Sequence, residues 1–163
     1  MPITMNAVHF HLMLNHVPVI GSVFGMLLLG AALLRKSQEL LKTSLAVFVV
    51  CAAVAVPVYL TGEPAEHLVE HLPGLTKPEI EQHEESAEAA FIAILVLGIT
   101  GLGALGFFRG PRPIPHWFGV VSLVIALATC GLMLRTANLG GKVRHTEIRN
   151  NIPDVSAGIR AGH

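Results

Sequence analysis

Nine histidines and eleven carboxylates occur in 163 residues, and most of them crowd into three stretches. HFHLMLNHVPVIG covers His9 to Gly21, TGEPAEHLVEHLPG covers Thr61 to Gly74, and EIEQHEESAE covers Glu79 to Glu88. Imidazole and carboxylate are the side chains that ligate iron and zinc, and imidazole changes charge near neutral pH. Their crowding points to ligation or proton movement. The question is whether the chain can bring the three stretches together.

Helical spacing sharpens each stretch. His9 and His16 are seven apart and share a helix face, while His11 points elsewhere. Asn15 is placed to orient the His16 ring. Pro18 cannot donate to the Leu14 carbonyl, so an opened turn is expected beside His16. Gly21 and Gly25 form a small-xxx-small face that admits another helix or a flat cofactor. In the second stretch, Pro64 suits a first turn and Pro73-Gly74 a stop, which predicts a short amphipathic lid helix over 64–72. Its apolar stripe is Ala65, Leu68, Val69 and Leu72. His67 and His71 lie opposite at i,i+4, with Glu66 and Glu70 around them. In the third stretch Thr76 to Glu79 reads as a capping box. A helix from there to Phe108 would run about 48 Å, well beyond the hydrocarbon. Ile80, Ala87, Phe91 and Ile94 are its expected inward stripe, with His83 and Glu84 beside it and Glu81, Glu85 and Glu88 further round in water.

The elements that must position these groups are membrane spans. The chain is 52% hydrophobic and 13% charged, with a mean hydropathy of +0.62, against roughly a quarter charged in a soluble domain. The expected fold is all-α: an up-down bundle of four transmembrane helices, about 6–35, 41–61, 77–108 and 115–139, with an extended third helix. Residues 1–141 form this domain and 142–163 a polar tail. No charged residue precedes Arg35, so the first span is expected to be retained rather than cleaved as a signal peptide. Arg35, Lys36 and Lys42 in the first loop and Arg109 and Arg112 in the third place those loops in the cytoplasm of a bacterial inner membrane. Both termini and the His/Glu loop then face the periplasm, although the basic tail opposes that orientation. Cys51 and Cys130 fall mid-span and are expected to be packing residues. Zero formal net charge and no basic patch argue against nucleic acid.

Whatever the absolute orientation, an even bundle sends the start of the first helix, the end of the second, the start of the third and the end of the fourth to one side. That side receives His9, His11, His16, His67, His71, His83 and His145 with nearly all the glutamates, whereas His116 goes to the other. Arg144 and His145, past the expected stop at Asn138 to Gly141, are placed to pair with Glu residues or to hold a propionate or phosphate.

The segments Asn15-His16-x-Pro18 and Thr61-Gly-Glu-Pro-Ala-Glu66, with IEQHEESAEAA and NLGGKVRHTEIR, make the chain resemble a group of small bacterial four-helix membrane proteins of unknown function. The resemblance covers most of residues 6 to 149. It implies a respiratory setting near c-type cytochromes and supplies no reaction and no established site.

Three functions are expected to compete. The first is a b-type haem protein for electron transfer, with haem b held by His16 and His83, assisted by His9 or His11, Gly21 and Gly25 under the porphyrin, and Arg144 or Arg135 on the propionates. Quinone or a c-type cytochrome would be its redox partner. The second is a non-haem iron, zinc or other transition-metal site drawn from His16, His83, Glu84, Glu66, Glu70, His67 and His71, for metal handling or sensing. The third is an accessory subunit of a larger respiratory complex, or a homo-oligomer, packing through GITGLGALG from Gly98 to Gly106. No nucleophile with an adjacent base and no phosphate loop suggests a stand-alone enzyme.

Overall fold

The computed structural model describes residues 13–62, 77–110 and 112–144. The described residues contain four helices: α1 (His16–Arg35), α2 (Gln38–Leu60), α3 (Lys77–Phe107) and α4 (His116–Arg144). The lid helix expected over 64–72, the residues before 13 and the tail beyond 144 lie outside the described residues. All four helices are long and apolar enough to cross a bilayer. α1 packs on α2 and α4, and α3 packs on the same two, so α1 and α3 stand on one diagonal of the bundle and α2 and α4 on the other. The four-helix bundle and the multi-pass membrane assignment stand.

Only 28% to 33% of each apolar window is buried inside the bundle, so most apolar side chains face outward, as lipid-facing helices require. Ile20, Phe24, Leu27, Ile99, Leu102 and Val124 are among those outward residues. The interior is filled by Leu29, Leu45, Phe48, Ile94 and Leu97, each fully enclosed. Small polar residues share that interior: Ser22, Ser44, Ser86, Ser122 and Thr129 are all buried. In a span such hydroxyls return to their own helix, and Ser22 donates to the Pro18 carbonyl and Thr129 to the Ile125 carbonyl. Cys51 and Cys130 are buried free thiols that fill space.

Two short connections hold the basic end. After α1, Lys36 turns into the left-handed region at φ 51°, and Ser37 then caps α2 by accepting from the Leu40 N–H at 3.3 Å. Across the bundle, Gln38 Nε2 donates to the Ile114 carbonyl at 3.1 Å and Gln38 Oε1 accepts from the Ile114 N–H at 2.8 Å. This amide clamp levels the starts of α2 and α4. Lys42 Nζ adds a bond to the Gly110 carbonyl at 3.2 Å.

Two helix boundaries differ from the sequence expectation in ways that bear on the site. Helical backbone at residues 13 and 14 is interrupted by a turn at Asn15, and α1 restarts at His16 with Pro18 in its first turn. The missing Pro18 N–H is the reason, and the opened turn lies where it was expected. At the other end of the chain, α4 does not stop at Asn138 to Gly141 but continues to Arg144. α3 is 31 residues long, about 46 Å at 1.5 Å per residue. Its overhang gives the last turns of α4 a surface to pack on, which outweighs the weak helix preference of two glycines.

Candidate cofactor site at the His/Glu face

His83 is the sequence-predicted residue that the fold positions most firmly. It lies on the α3 overhang, half-buried, with its imidazole against Gly140 of α4. A Cβ at Gly140 would come within 3.1 Å of the His83 Cε1 atom, so the bare glycine backbone is what lets the ring lie between the helices. Depth along the axes agrees with this contact. His83 is about 36 Å from the Phe107 end of α3, and Gly140 about 36 Å from the His116 end of α4, by the helical rise.

One turn further into the bundle, a hydroxyl pair ties the same two helices. Thr136 Oγ1 donates to the Ser86 carbonyl at 2.8 Å and lies 2.9 Å from the Ser86 hydroxyl. Ser86 is itself buried. This pair fixes the register of α3 on α4, and so the height of His83. It went unread in the sequence, where a lone Ser among five glutamates and a Thr after Arg135 look like ordinary surface residues. Their shared signal is a hydroxyl at the polar end of each of two adjacent spans.

His16 behaves differently. Its side chain is exposed at the start of α1, on the helix diagonal to α3, and about 29 Å from the Arg35 end by the same rise. It therefore sits about 7 Å deeper than His83 along the bundle axis. Neighbouring Asn15 keeps a buried Oδ1 without a hydrogen-bond partner among the described residues, His16 included. The flat glycine face next to His16 is occupied by α2. The Cys51 sulfur fills the space a Gly21 side chain would need, and at Gly25 a Cβ would meet Phe48 Cε1 at 2.6 Å. These glycines serve helix packing, the other of the two uses expected of a small-xxx-small face.

Of the carboxylates, Glu81, Glu84, Glu85 and Glu88 are exposed along α3. The expected inward stripe is right at Ile80 and Ile94, which are buried, while Ala87 and Phe91 are half-buried. The true centre line runs through Ser86, Ala90 and Leu97. Phe91 instead stacks face to face on Tyr59 of α2 with ring centroids 4.2 Å apart, closing the α2–α3 side of the mouth. Arg135 is exposed on α4 and Arg144 ends that helix. His9, His11, Glu66, Glu70, His67 and His71 lie outside the described residues. Among the described residues, no three His, Cys, Asp or Glu side chains are grouped closely enough to hold a metal ion.

The described half of the site is therefore one half-buried imidazole against Gly140, a hydroxyl pair one turn beneath and a row of exposed carboxylates outside. A single imidazole can give one axial bond to iron or one ligand to zinc. No family model, curated protein or solved structure matches the chain.

Proposed function

We propose that the chain is a membrane electron carrier that holds haem b at its His/Glu face, with His83 as one of the residues that would hold it. The observation that supports this reading is the His83 imidazole, half-buried and seated on Gly140 at the lip of four apolar spans. An ionisable ring half-buried between two helices loses part of its hydration, and such groups usually pair, ligate or line a path. A second ligating imidazole would come from the N-terminal stretch, from His16 or from His9 or His11. Arg144, the last residue of α4, would supply a cation for a propionate. Bound there, haem supplies one-electron exchange between ferric and ferrous iron. The exposed carboxylates of α3, Glu81, Glu84, Glu85 and Glu88, would accept a proton released at this interface, with quinone or a c-type cytochrome as the redox partner. The same reading places the chain in a bacterial inner membrane with the His/Glu face in the periplasm, from the basic residues at the opposite end.

A second reading has its own observation. Gly103 and Gly106 on α3 have nothing within 4 Å, and Ile99 and Leu102 beside them are exposed. That outer face suits a helix of a larger respiratory assembly, and the subunit role is compatible with a haem.

The test is the absorption spectrum of the purified protein. A Soret band that shifts on dithionite and is lost in His83→Ala but kept in His116→Ala is the expected result. A colourless protein carrying stoichiometric metal, lost in Glu70→Ala or Glu84→Ala, replaces haem with the non-haem site. A colourless, metal-free protein leaves the subunit role alone.

A further inference from the structure

The opposite end of the bundle carries a cavity that the haem reading does not use. It has a volume of about 450 Å³ and is lined by Ala32, Leu33, Lys36, Gln38, Leu41 and His116, among others. Its floor is apolar, since Ala32, Leu41 and Ile114 are buried. Its rim is cationic. Lys36 is exposed in its left-handed turn and His116 is exposed at the first residue of α4. Neither side chain makes a hydrogen bond or ion pair among the described residues.

The wall is rigid because both polar atoms of the Gln38 carboxamide are spent on Ile114. The surroundings carry the same sign: Arg35, Lys42, Arg109 and Arg112 share this face, and Glu39 is the one carboxylate between Arg35 and Lys42 or between Arg109 and His116. The cavity lies at the level where α1 ends and α2 and α4 begin, which is the headgroup level of a bilayer crossed by these spans. It is open on one side and apolar below, so it fits a group with a charged head and a greasy tail.

We propose that this cavity binds the phosphate headgroup of an anionic phospholipid, with Lys36 and His116 on the phosphate and the start of an acyl chain over Leu33 and Leu41. The unspent N–H groups at the start of α4 add to the attraction for the phosphate. Cationic pockets between spans are suited to anionic headgroups, and each cation near the surface strengthens the attraction about five-fold.

Native mass spectrometry of the full chain, delipidated in detergent and titrated with phosphatidylglycerol or with phosphatidylcholine of the same acyl chains, tests the proposal. One phosphatidylglycerol is expected to bind at least five-fold more tightly than phosphatidylcholine. Lys36→Asn keeps the left-handed turn and removes the charge, and with His116→Gln it is expected to bring the two lipids within two-fold. Lys77→Gln, at the other end of the bundle, is the control and keeps the preference. Equal binding of the two lipids by the wild type, or an undiminished preference in the double variant, overturns the proposal. Displacement of phosphatidylglycerol by millimolar inorganic phosphate also overturns it, because the site would then be one for the free anion. Unlike the haem reading, none of these outcomes depends on colour or metal content.

Discussion

Gly25→Val tests whether the glycine face of α1 is a packing surface. In the fold a Cβ at this position meets Phe48 at 2.6, 3.0 and 3.2 Å from three ring carbons, where carbon contacts settle at about 3.5–4.0 Å. The ring has to withdraw by about 1 Å, and Phe48 is 0% exposed, so the strain spreads into Leu45 and Leu29. Overpacking of this kind costs about 1–3 kcal/mol, and the two further methyls of Val place the change at the upper end. Valine regains only a few tenths of a kcal/mol over glycine in helix preference. The expected net loss is about 2–3 kcal/mol, or a fall in Tm of about 4–12 °C for a chain of this size. The assay is thermal unfolding in detergent, run as a double-mutant cycle with Phe48→Ala. Removing the ring gives the valine methyls room, so the two losses are expected to fall short of additive by about 1–3 kcal/mol. Losses that add to within 0.5 kcal/mol, or a Gly25→Val protein as stable as wild type, would refute the packing assignment and return this face to a flat ligand.

Further outcomes follow from other contacts. Ser122 is fully buried with a hydroxyl that lacks a partner among the described residues, so Ser122→Ala is expected to be neutral or to raise stability by up to about 1 kcal/mol; a clear loss in the melting curve would show that the hydroxyl is in use. Thr136→Val removes the bridge to Ser86 and is expected to cost about 1 kcal/mol, in the range found for hydrogen bonds between spans, as read by unfolding in mixed detergent. Because that bridge sets the height of His83, the same variant is expected to shift the Soret maximum if haem is bound. Gln38→Leu strips Ile114 of both backbone partners and is expected to cost about 1–3 kcal/mol, with faster proteolysis at the α3–α4 connection. Cys51 and Cys130, buried and unpaired, are expected to react with maleimide only after unfolding, and fast labelling of the native protein would contradict the packing.

The large features of this fold were legible because they rest on length and polarity. Four apolar runs with an even number of crossings put the start of α3 at the same end as the start of α1 and the end of α4, and the placement of His83 and the α3 glutamates at the mouth depends on nothing finer. The opened turn at Asn15 was legible because Pro18 lacks a donor. What periodicity could not supply was which small residues meet which neighbour. Gly21 and Gly25 offer the same bare surface to a porphyrin or to α2, and only the position of Cys51 and Phe48 decides between them. Gly140 and Gly141 read as a stop because glycine is a poor helix residue, yet a ring from α3 seated on Gly140 holds that turn in the helix. Counting crossings puts His16 at the same end as His83, but its exposure follows from the rotation of α1, which its contacts with α2 and α4 fix. The cavity near Lys36 had no sequence signal beyond an exposed lysine and a helix-starting histidine, because its shape comes from three chain segments brought together by the Gln38 clamp.

The most direct measurement is haem stoichiometry by the pyridine haemochrome reaction, with elemental analysis on the same preparation of wild type and His83→Ala. The haem assignment predicts about one haem b per chain, an equal amount of iron, and loss of both in the variant. No haem, or haem retained in full when His83 is gone, would contradict it.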